Sequence, residues 1–275
     1  MLNYLQLYRI DAFIIYAGSY VFGALLTSGE ISFLTIGYAI LIASLPVNFV
    51  YSLNSISDRH IDKINKPHRP LPSGKISLTN AKIYVTMLLV ISLPAGPLFE
   101  SMISMLCYYL ILLLGILYSN PVYPFKRNKY LSVICTSALL IAPMLIAVAK
   151  TGGTIPGEFI PLILFIYLFL LITIPLKDIE DVEGDIMNKS QNWYGCLGMR
   201  LVYVSALLNL LLAAGAWLWM PLSAHKPVIV VFFLIQLSVT LLNLLNHDWI
   251  NSLYKQKIFV TIVYMVSVWV YQNLK

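Results

Sequence analysis

This chain is predicted to be an all-α integral membrane protein, with about nine transmembrane helices around a central cavity. Three observations predict it. Hydrophobic residues make up 59% of the sequence and charged residues only 11%. Apolar runs of roughly 20 residues, long enough to cross a bilayer, recur from end to end. The charges collect in a few polar segments between those runs, and two of these segments are strongly acidic. Mean hydropathy is +0.81. The alternating segments of about ten residues that a β-barrel needs are not seen.

In chain order the runs are 10–28, 32–53, 79–98, 101–118, 131–149, 158–176, 201–221, 227–245 and 257–273. The first follows Arg9. It is longer than a signal-peptide core and lacks a convincing small-residue cleavage site, so it is read as a span. The second and the sixth each run into an acidic segment, at 54–62 and 177–185. The outer connections at 28–32, 99–100, 150–157 and 222–226 are short. No linker rich in Gly, Ser or Pro divides the chain, so residues 1–275 are expected to form a single transmembrane domain. Residues 32–129 and 158–257 read as halves of a weak internal repeat: acidic motif, two helices, basic segment. Chance similarity is the competing explanation.

The formal charge of +6 does not point to nucleic acid. With the N-terminus inside and nine spans, all 18 basic residues except Lys150, Lys226 and Lys275 fall on the inner side. That asymmetry places the N-terminus and the acidic loops in the cytoplasm. Cys107, Cys135 and Cys196 lack paired spacing, which argues against a disulfide framework or a zinc site.

The acidic segments carry the chemistry. The first reads Asn54-Ser-Ile-Ser-Asp58-Arg-His-Ile-Asp62. On a helix, i, i+4 and i+8 drift by about 40° per step, so Asn54, Asp58 and Asp62 share a face. The second reads Lys177-Asp178-Ile-Glu-Asp181-Val-Glu-Gly-Asp185, and i, i+3, i+7 spacing puts Asp178, Asp181 and Asp185 on one face. Two rows of hard oxygen donors repel unless cations sit between them. Mg²⁺ suits such donors and completes its shell with water and phosphate oxygens. The pattern therefore points to a diphosphate site at a membrane surface. Solvated carboxylates at helix ends are the plainer alternative, but ionisable groups near membrane depth usually mark function. Glu180 and Glu183 fall off the shared face.

After the first motif comes Lys66-Pro-His-Arg69-Pro-Leu-Pro-Ser73-Gly74. Its three prolines predict an extended, stiff segment that carries Arg69 over the site, where a guanidinium can bind phosphate with two bonds. A topogenic surface loop is the alternative. Tyr118-Ser-Asn-Pro-Val-Tyr123-Pro-Phe-Lys126-Arg127 combines phenols with cations on the same side, as substrate binding or an ordinary membrane interface requires. Lys177 and Asn192, which flank the second motif, join Arg69, Tyr118, Tyr123, Lys126 and Arg127 as candidate substrate-binding residues.

With these residues in view, the chain resembles the UbiA superfamily of intramembrane prenyltransferases. The pattern N-x-x-x-D-x-x-x-D matches Asn54, Asp58 and Asp62. D-x-x-x-D matches Asp181 and Asp185, with Asp178 as the further upstream acid. The Arg69-Pro-Leu-Pro-Ser-Gly74 run and the Tyr123-x-x-Lys126-Arg127 segment are also similar. The resemblance implies a helical cavity that holds two Mg²⁺ ions and a prenyl diphosphate, with Asp58, Asp62, Asp181 and Asp185 as catalytic residues and the prenyl tail leaving toward lipid. The diphosphate would ionise to an allylic cation, and an aromatic carbon or a lipid hydroxyl would attack it. Two features depart from the pattern. Arg9-Ile10-Asp11 stands where many relatives have Arg-Pro, and 186–194 replaces a Thr-rich stretch, which leaves the acceptor open. A terpene cyclase of the same superfamily is the nearest alternative. A solute transporter is the alternative of another class, disfavoured because the acids sit at helix ends rather than at the bilayer midplane.

Overall fold

The structure, a computed structural model, describes residues 4, 7, 9–152, 155, 157–187, 191–219, 225–261 and 264. Those residues are mostly helical, joined by turns, bends and irregular segments, with no strand among them. The chain divides into two compact units, Met1–Pro156 with Met187–Ser190, and Gly157–Ile186 with Gln191–Lys275.

In the first unit, α1 (Ile10–Ser28) stops at Gly29, whose positive φ of 71° lets its N–H reach back to Leu25 O at 3.0 Å. Ser32 caps the next helix by accepting from Thr35 N. That helix, α2 (Phe33–Ser57), passes through a widened turn at Ala43–Val47 that accommodates Pro46, a residue with no N–H for the helix ladder. A single turn, α3 (Asp62–Asn65), follows. Ser77 caps α4 (Leu78–Ser92), which tightens into a 3-10 segment at Leu93–Phe99. Ser101 caps α5 (Met102–Ser119), and Asn128 Oδ1 accepts from Tyr130 N and Leu131 N at the start of α6 (Lys129–Gly152).

α6 is the central helix of this unit: 72% of its apolar window is enclosed, against 33% for α5, which keeps an exposed apolar side. Close approach requires small residues. A Cβ on Gly23 of α1 would meet Met144 O of α6 at 2.5 Å, and one on Gly115 of α5 would meet Val50 Cγ2 of α2 at 2.3 Å. Ser19 Oγ donates to Leu140 O at 3.0 Å and Ser104 Oγ to Ile146 O at 2.8 Å, so hydrogen bonds reinforce the small-residue contacts.

In the second unit, α7 (Ile160–Thr173) narrows to a 3-10 turn at Ile174–Lys177, which contains Pro175, and continues as α8 (Asp178–Met187). α9 (Trp193–Leu197) reverses at Gly198, φ 55°, into α10 (Arg200–Trp219). α11 (His225–Leu245) packs along α10. A 3-10 turn at His247–Ser252 then leads to a helical stretch at 253–261. Leu176, Ile179, Leu201, Val202, Ile250 and Leu253 form the core beneath the second acidic segment.

Among the described residues, six helices are long and apolar enough to cross a membrane: Phe33–Ser57, Leu78–Phe99, Met102–Ser119, Lys129–Lys150, Ile160–Val182 and Arg200–Leu218. The shorter apolar helices Ala12–Ser28 and Val230–Leu245 fall on two further expected spans. Most of the expected span 257–273 lies outside the described residues.

Candidate active site: two acidic helix ends

The first cluster forms where α2 ends. Asn54 lies in its last turn and Asp58 just beyond it, with φ −91° and ψ 2°. The helix does not run on to Asp62, but its bonding pattern does: Asp58 N donates to Asn54 O and Asp62 N to Asp58 O, both at 2.8 Å. The helix is thus broken between Asn54 and Asp62, and these two bonds keep a helix-like spacing at Asp58 and Asp62.

Each residue of this face has a side-chain partner. Asn54 Oδ1 accepts from Ser119 Oγ at 3.4 Å. Lys126 Nζ bonds to Asp58 Oδ1 and, at 2.6 Å, to Ser57 Oγ. Arg69 Nη1 donates to Asp62 Oδ2 at 2.7 Å. Asp62 is buried, and that burial raises its carboxyl above the ordinary carboxylate value, with the Arg69 guanidinium pulling the other way. The segment carrying Arg69 is not extended, as its prolines predicted. Ser73 N donates to Arg69 O, Gly74 N to Leu71 O and Ile76 N to Pro70 O, so it folds into consecutive turns. Proline's fixed φ serves a turn as well as an extended chain, and burial of Ile76 against Leu7 and Ala81 favours the compact form.

Of the other candidates in this unit, Tyr118 OH lies 3.4 Å from Ser132 Oγ, while Tyr123 and Arg127 are exposed. Three neighbours were not among the candidate site residues read from sequence. Ser57 and Ser119 touch the cluster through contacts between residues distant in the chain. Arg9 places its guanidinium 4.9 Å from the centre of the Tyr51 ring, one turn before Asn54. The side chain of Asp11 lies outside the described residues.

The second cluster is α8 itself, a continuous helix, so Asp178, Asp181 and Asp185 do share a face. Asp178 is buried; its Oδ1 lies 3.2 Å from Lys177 Nζ and its Oδ2 accepts from Trp193 N at 2.9 Å. Asn192 ties the segment together. Its Nδ2 donates to Asp185 Oδ2 at 2.7 Å and to Asp178 O at 3.2 Å, and its Oδ1 caps α9 by accepting from Gly195 N. Burial raises the Asp185 carboxyl, and the Asn192 bond opposes the shift. Asp181 is half-buried. Glu180, off the shared face, pairs with Lys255 at 3.0 Å.

Among the described residues no three His, Cys, Asp or Glu side chains converge on one point, so neither cluster is a closed all-protein metal cage. Mg²⁺ uses one or two carboxylates and fills its remaining positions with water and substrate oxygens. Each cluster offers hard oxygen donors on one face, and none of the donors is a soft ligand.

Residues 15–272 match the UbiA prenyltransferase family. The chain belongs to that family. Several archaeal relatives are named digeranylgeranylglyceryl phosphate synthase. That of Methanococcus aeolicus is 36% identical over 190 residues, covering 66% of this chain and 63% of the relative. That of Methanococcus maripaludis strain C7 is 32% identical over 179 residues, 62% of this chain and 60% of the relative. These two matches thus span about three fifths of the relatives' lengths. The Saccharolobus solfataricus protein matches more widely, 28% identical over 94% of this chain and 92% of its own. In fold, the chain is similar to a UbiA homologue from Archaeoglobus fulgidus bound to GPP and Mg²⁺, with a TM-score of 0.73, 20% identity, and 97% and 99% of the two chains covered. It is also similar to a digeranylgeranylglyceryl phosphate synthase structure, with a TM-score of 0.69, 23% identity and 96% of each chain covered.

Proposed function

We propose that this UbiA family member is a Mg²⁺-dependent prenyltransferase that moves a prenyl group from a prenyl diphosphate to the hydroxyl of a glycerophosphate-type lipid. The observation that carries the reading is the pair of acidic faces, each of which combines carboxylates with a basic side chain already in contact. The relatives' shared name favours this acceptor over the aromatic one. A product with two geranylgeranyl groups on one glyceryl phosphate requires an acceptor that already carries one. The solved relatives bound to GPP, DMAPP and Mg²⁺ support the donor and the ion.

On this reading Asn54, Asp58 and Asp62, with Asp178, Asp181 and Asp185, would hold two Mg²⁺ ions. Bound there, the metal supplies positive charge to a diphosphate leaving group. Lys126 and Arg69, which neutralise Asp58 and Asp62 in the structure, become available to phosphate oxygens once those carboxylates have another cation. Lys177, Arg127, Tyr118 and Tyr123 are assigned to substrate contact, and Asn192 to holding Asp185 in place. The apolar helices exclude the water that would otherwise trap an allylic cation. The bond from the allylic carbon to diphosphate oxygen breaks and an ether bond to the acceptor oxygen forms, releasing diphosphate and a proton. The distribution of Lys and Arg along the sequence supports a cytoplasmic side for both acidic segments.

The test is diphosphate release by the purified protein from geranyl, farnesyl and geranylgeranyl diphosphates, with Mg²⁺ or EDTA. Acceptors would be geranylgeranylglyceryl phosphate, hydroxybenzoate or none. Release that requires both Mg²⁺ and the glyceryl phosphate lipid is expected. Release with hydroxybenzoate alone would overturn the acceptor, and hydrocarbon formed without acceptor would overturn transfer in favour of cyclisation.

A further inference from the structure

A buried polar seam runs through the second unit, away from the acidic face. Gln236, Thr240 and Asn243 lie at i, i+4 and i+7 on α11, a single face, and all are 0% exposed. Opposite them stands Lys257, also 0% exposed. Gln236 Nε2 donates to Lys257 O at 3.0 Å and to Thr261 Oγ1 at 3.3 Å, and Asn243 Nδ2 donates to Gln256 Oε1 at 2.6 Å. Interhelical bonds of this kind commonly hold membrane helices together. Here the bonds do not account for the groups present. The Lys257 ammonium, with three protons to donate, reaches one acceptor, Gln236 O at 3.2 Å. Among the described residues no carboxylate pairs with it. Gln236 Oε1 and Asn243 Oδ1 have no partner. On α10, Asn209 is fully enclosed and neither its Oδ1 nor its Nδ2 is bonded. Asn209 and Gln236 each lie roughly three turns from the neighbouring ends of their helices, so they share a depth. An enclosed ammonium and four orphaned amide atoms are expensive in apolar surroundings unless something else satisfies them.

The seam's position links it to the second acidic cluster. Leu253 packs with Leu176 and Ile179, the residues on either side of Lys177 and Asp178. Lys257 is one turn further along the same helix face, about 6 Å from Leu253 along the axis. Two residues before it, Lys255 pairs with Glu180.

We propose that Lys257, Gln236, Asn243 and Asn209 form a headgroup site for the acceptor, one that takes an anionic oxygen group that also carries an O–H. The ammonium and the Asn209 amide donate to the anion, and the orphaned carbonyl oxygens of Gln236 and Asn243 accept from a protonated phosphate oxygen, leaving the lipid's one free hydroxyl for the transfer. A glyceryl phosphate offers both kinds of group; an uncharged glycerol or a plain hydrocarbon does not. This inference rests on the proposed transfer to a glycerophosphate lipid, and it locates the phosphate of that lipid.

The test is equilibrium binding to the full chain in uncharged detergent, with EDTA and no prenyl diphosphate, so neither metal nor turnover enters. The probes are geranylgeranylglyceryl phosphate and the corresponding phosphate-free diol. The wild type is expected to bind the phosphate lipid roughly tenfold or more tightly than the diol. Lys257→Met should reduce that preference to near onefold. Should Lys257→Met fail to fold, Gln236→Leu, which keeps the charge but loses the acceptor oxygen, should bind the lipid several-fold more weakly. Competition by inorganic phosphate would assign the site to the phosphate alone, and its absence to phosphate and glycerol together. No preference in the wild type, or full preference in a folded Lys257→Met, would overturn the site. Because binding is read without catalysis, a wild type that binds with this preference but never releases diphosphate would count against the proposed reaction and not against the site.

Discussion

Replacing Arg69 by Met isolates the pairing at the first acidic face. The Arg69 and Asp62 side chains are 19% and 5% exposed, and their contact is 2.7 Å. Removing one partner of a buried ion pair strands the other, at a cost of about 3–5 kcal/mol. Because Arg69 retains some solvent, about 2–3 kcal/mol is expected here. Asp62→Asn should cost less, about 1–2 kcal/mol, since the freed guanidinium can turn toward water. If the pair itself is the cause, the double variant Arg69→Met with Asp62→Asn is more stable than Arg69→Met alone, because no carboxylate is left stranded. Denaturant-induced unfolding in mixed micelles, followed by tryptophan fluorescence, reads all four corners of the cycle. Mg²⁺ adds a second axis. A stranded Asp62 lacks its competing cation, so Mg²⁺ should stabilise Arg69→Met more than wild type; tenfold saturation alone is worth about 1.4 kcal/mol. A change below about 0.5 kcal/mol in Arg69→Met, or a double variant no better than the single one, would refute the stranded-charge reasoning.

Asp58→Asn and Asp181→Asn should each lower acceptor-dependent diphosphate release by more than about a thousandfold while membrane insertion is unchanged; near-normal release in both would remove the metal assignment. Asn192→Ala loses the α9 cap and the bond to Asp185, so it should lower stability by about 0.5–2 kcal/mol and shift the Mg²⁺ concentration for half-maximal activity upward by about 10–100-fold, read from a Mg²⁺ titration. Gly23→Ala forces a methyl to within 2.5 Å of Met144 O, a backbone atom that cannot rotate aside. It should destabilise the protein by about 1–3 kcal/mol in the same unfolding assay, and Gly18→Ala, which meets nothing within 4 Å, serves as the neutral control.

Much of the chain's organisation is set locally and can be read along it. Hydrophobic run length fixes spanning helices because an unsatisfied backbone cannot cross lipid, and the six long apolar helices fall on expected runs. The spacing of Asp178, Asp181 and Asp185 determines their common face because α8 is one uninterrupted helix. For Asn54, Asp58 and Asp62 the helix breaks at Asp58, and only the Asp58 N and Asp62 N bonds keep the i to i+4 pattern.

What required tertiary structure is pairing over distance. Lys126 and Asp58 are 68 positions apart and meet because α5 packs on α2 and carries the 118–127 segment back to that helix end. Nothing in local spacing selects Lys126 over Arg127 for that contact. The proline-rich segment predicted as extended is folded because burial of Ile76, a contact between distant residues, outweighs the local preference. Lys257 counts in the sequence as one more basic residue near the inner surface; helix packing encloses it and bonds its amine to Gln236, whose own side-chain oxygen is orphaned. Residue type and period determine which faces exist along this chain. Which groups lie across from those faces is set by helix packing, since it alone brings distant side chains within bonding range and removes the water that would otherwise satisfy them.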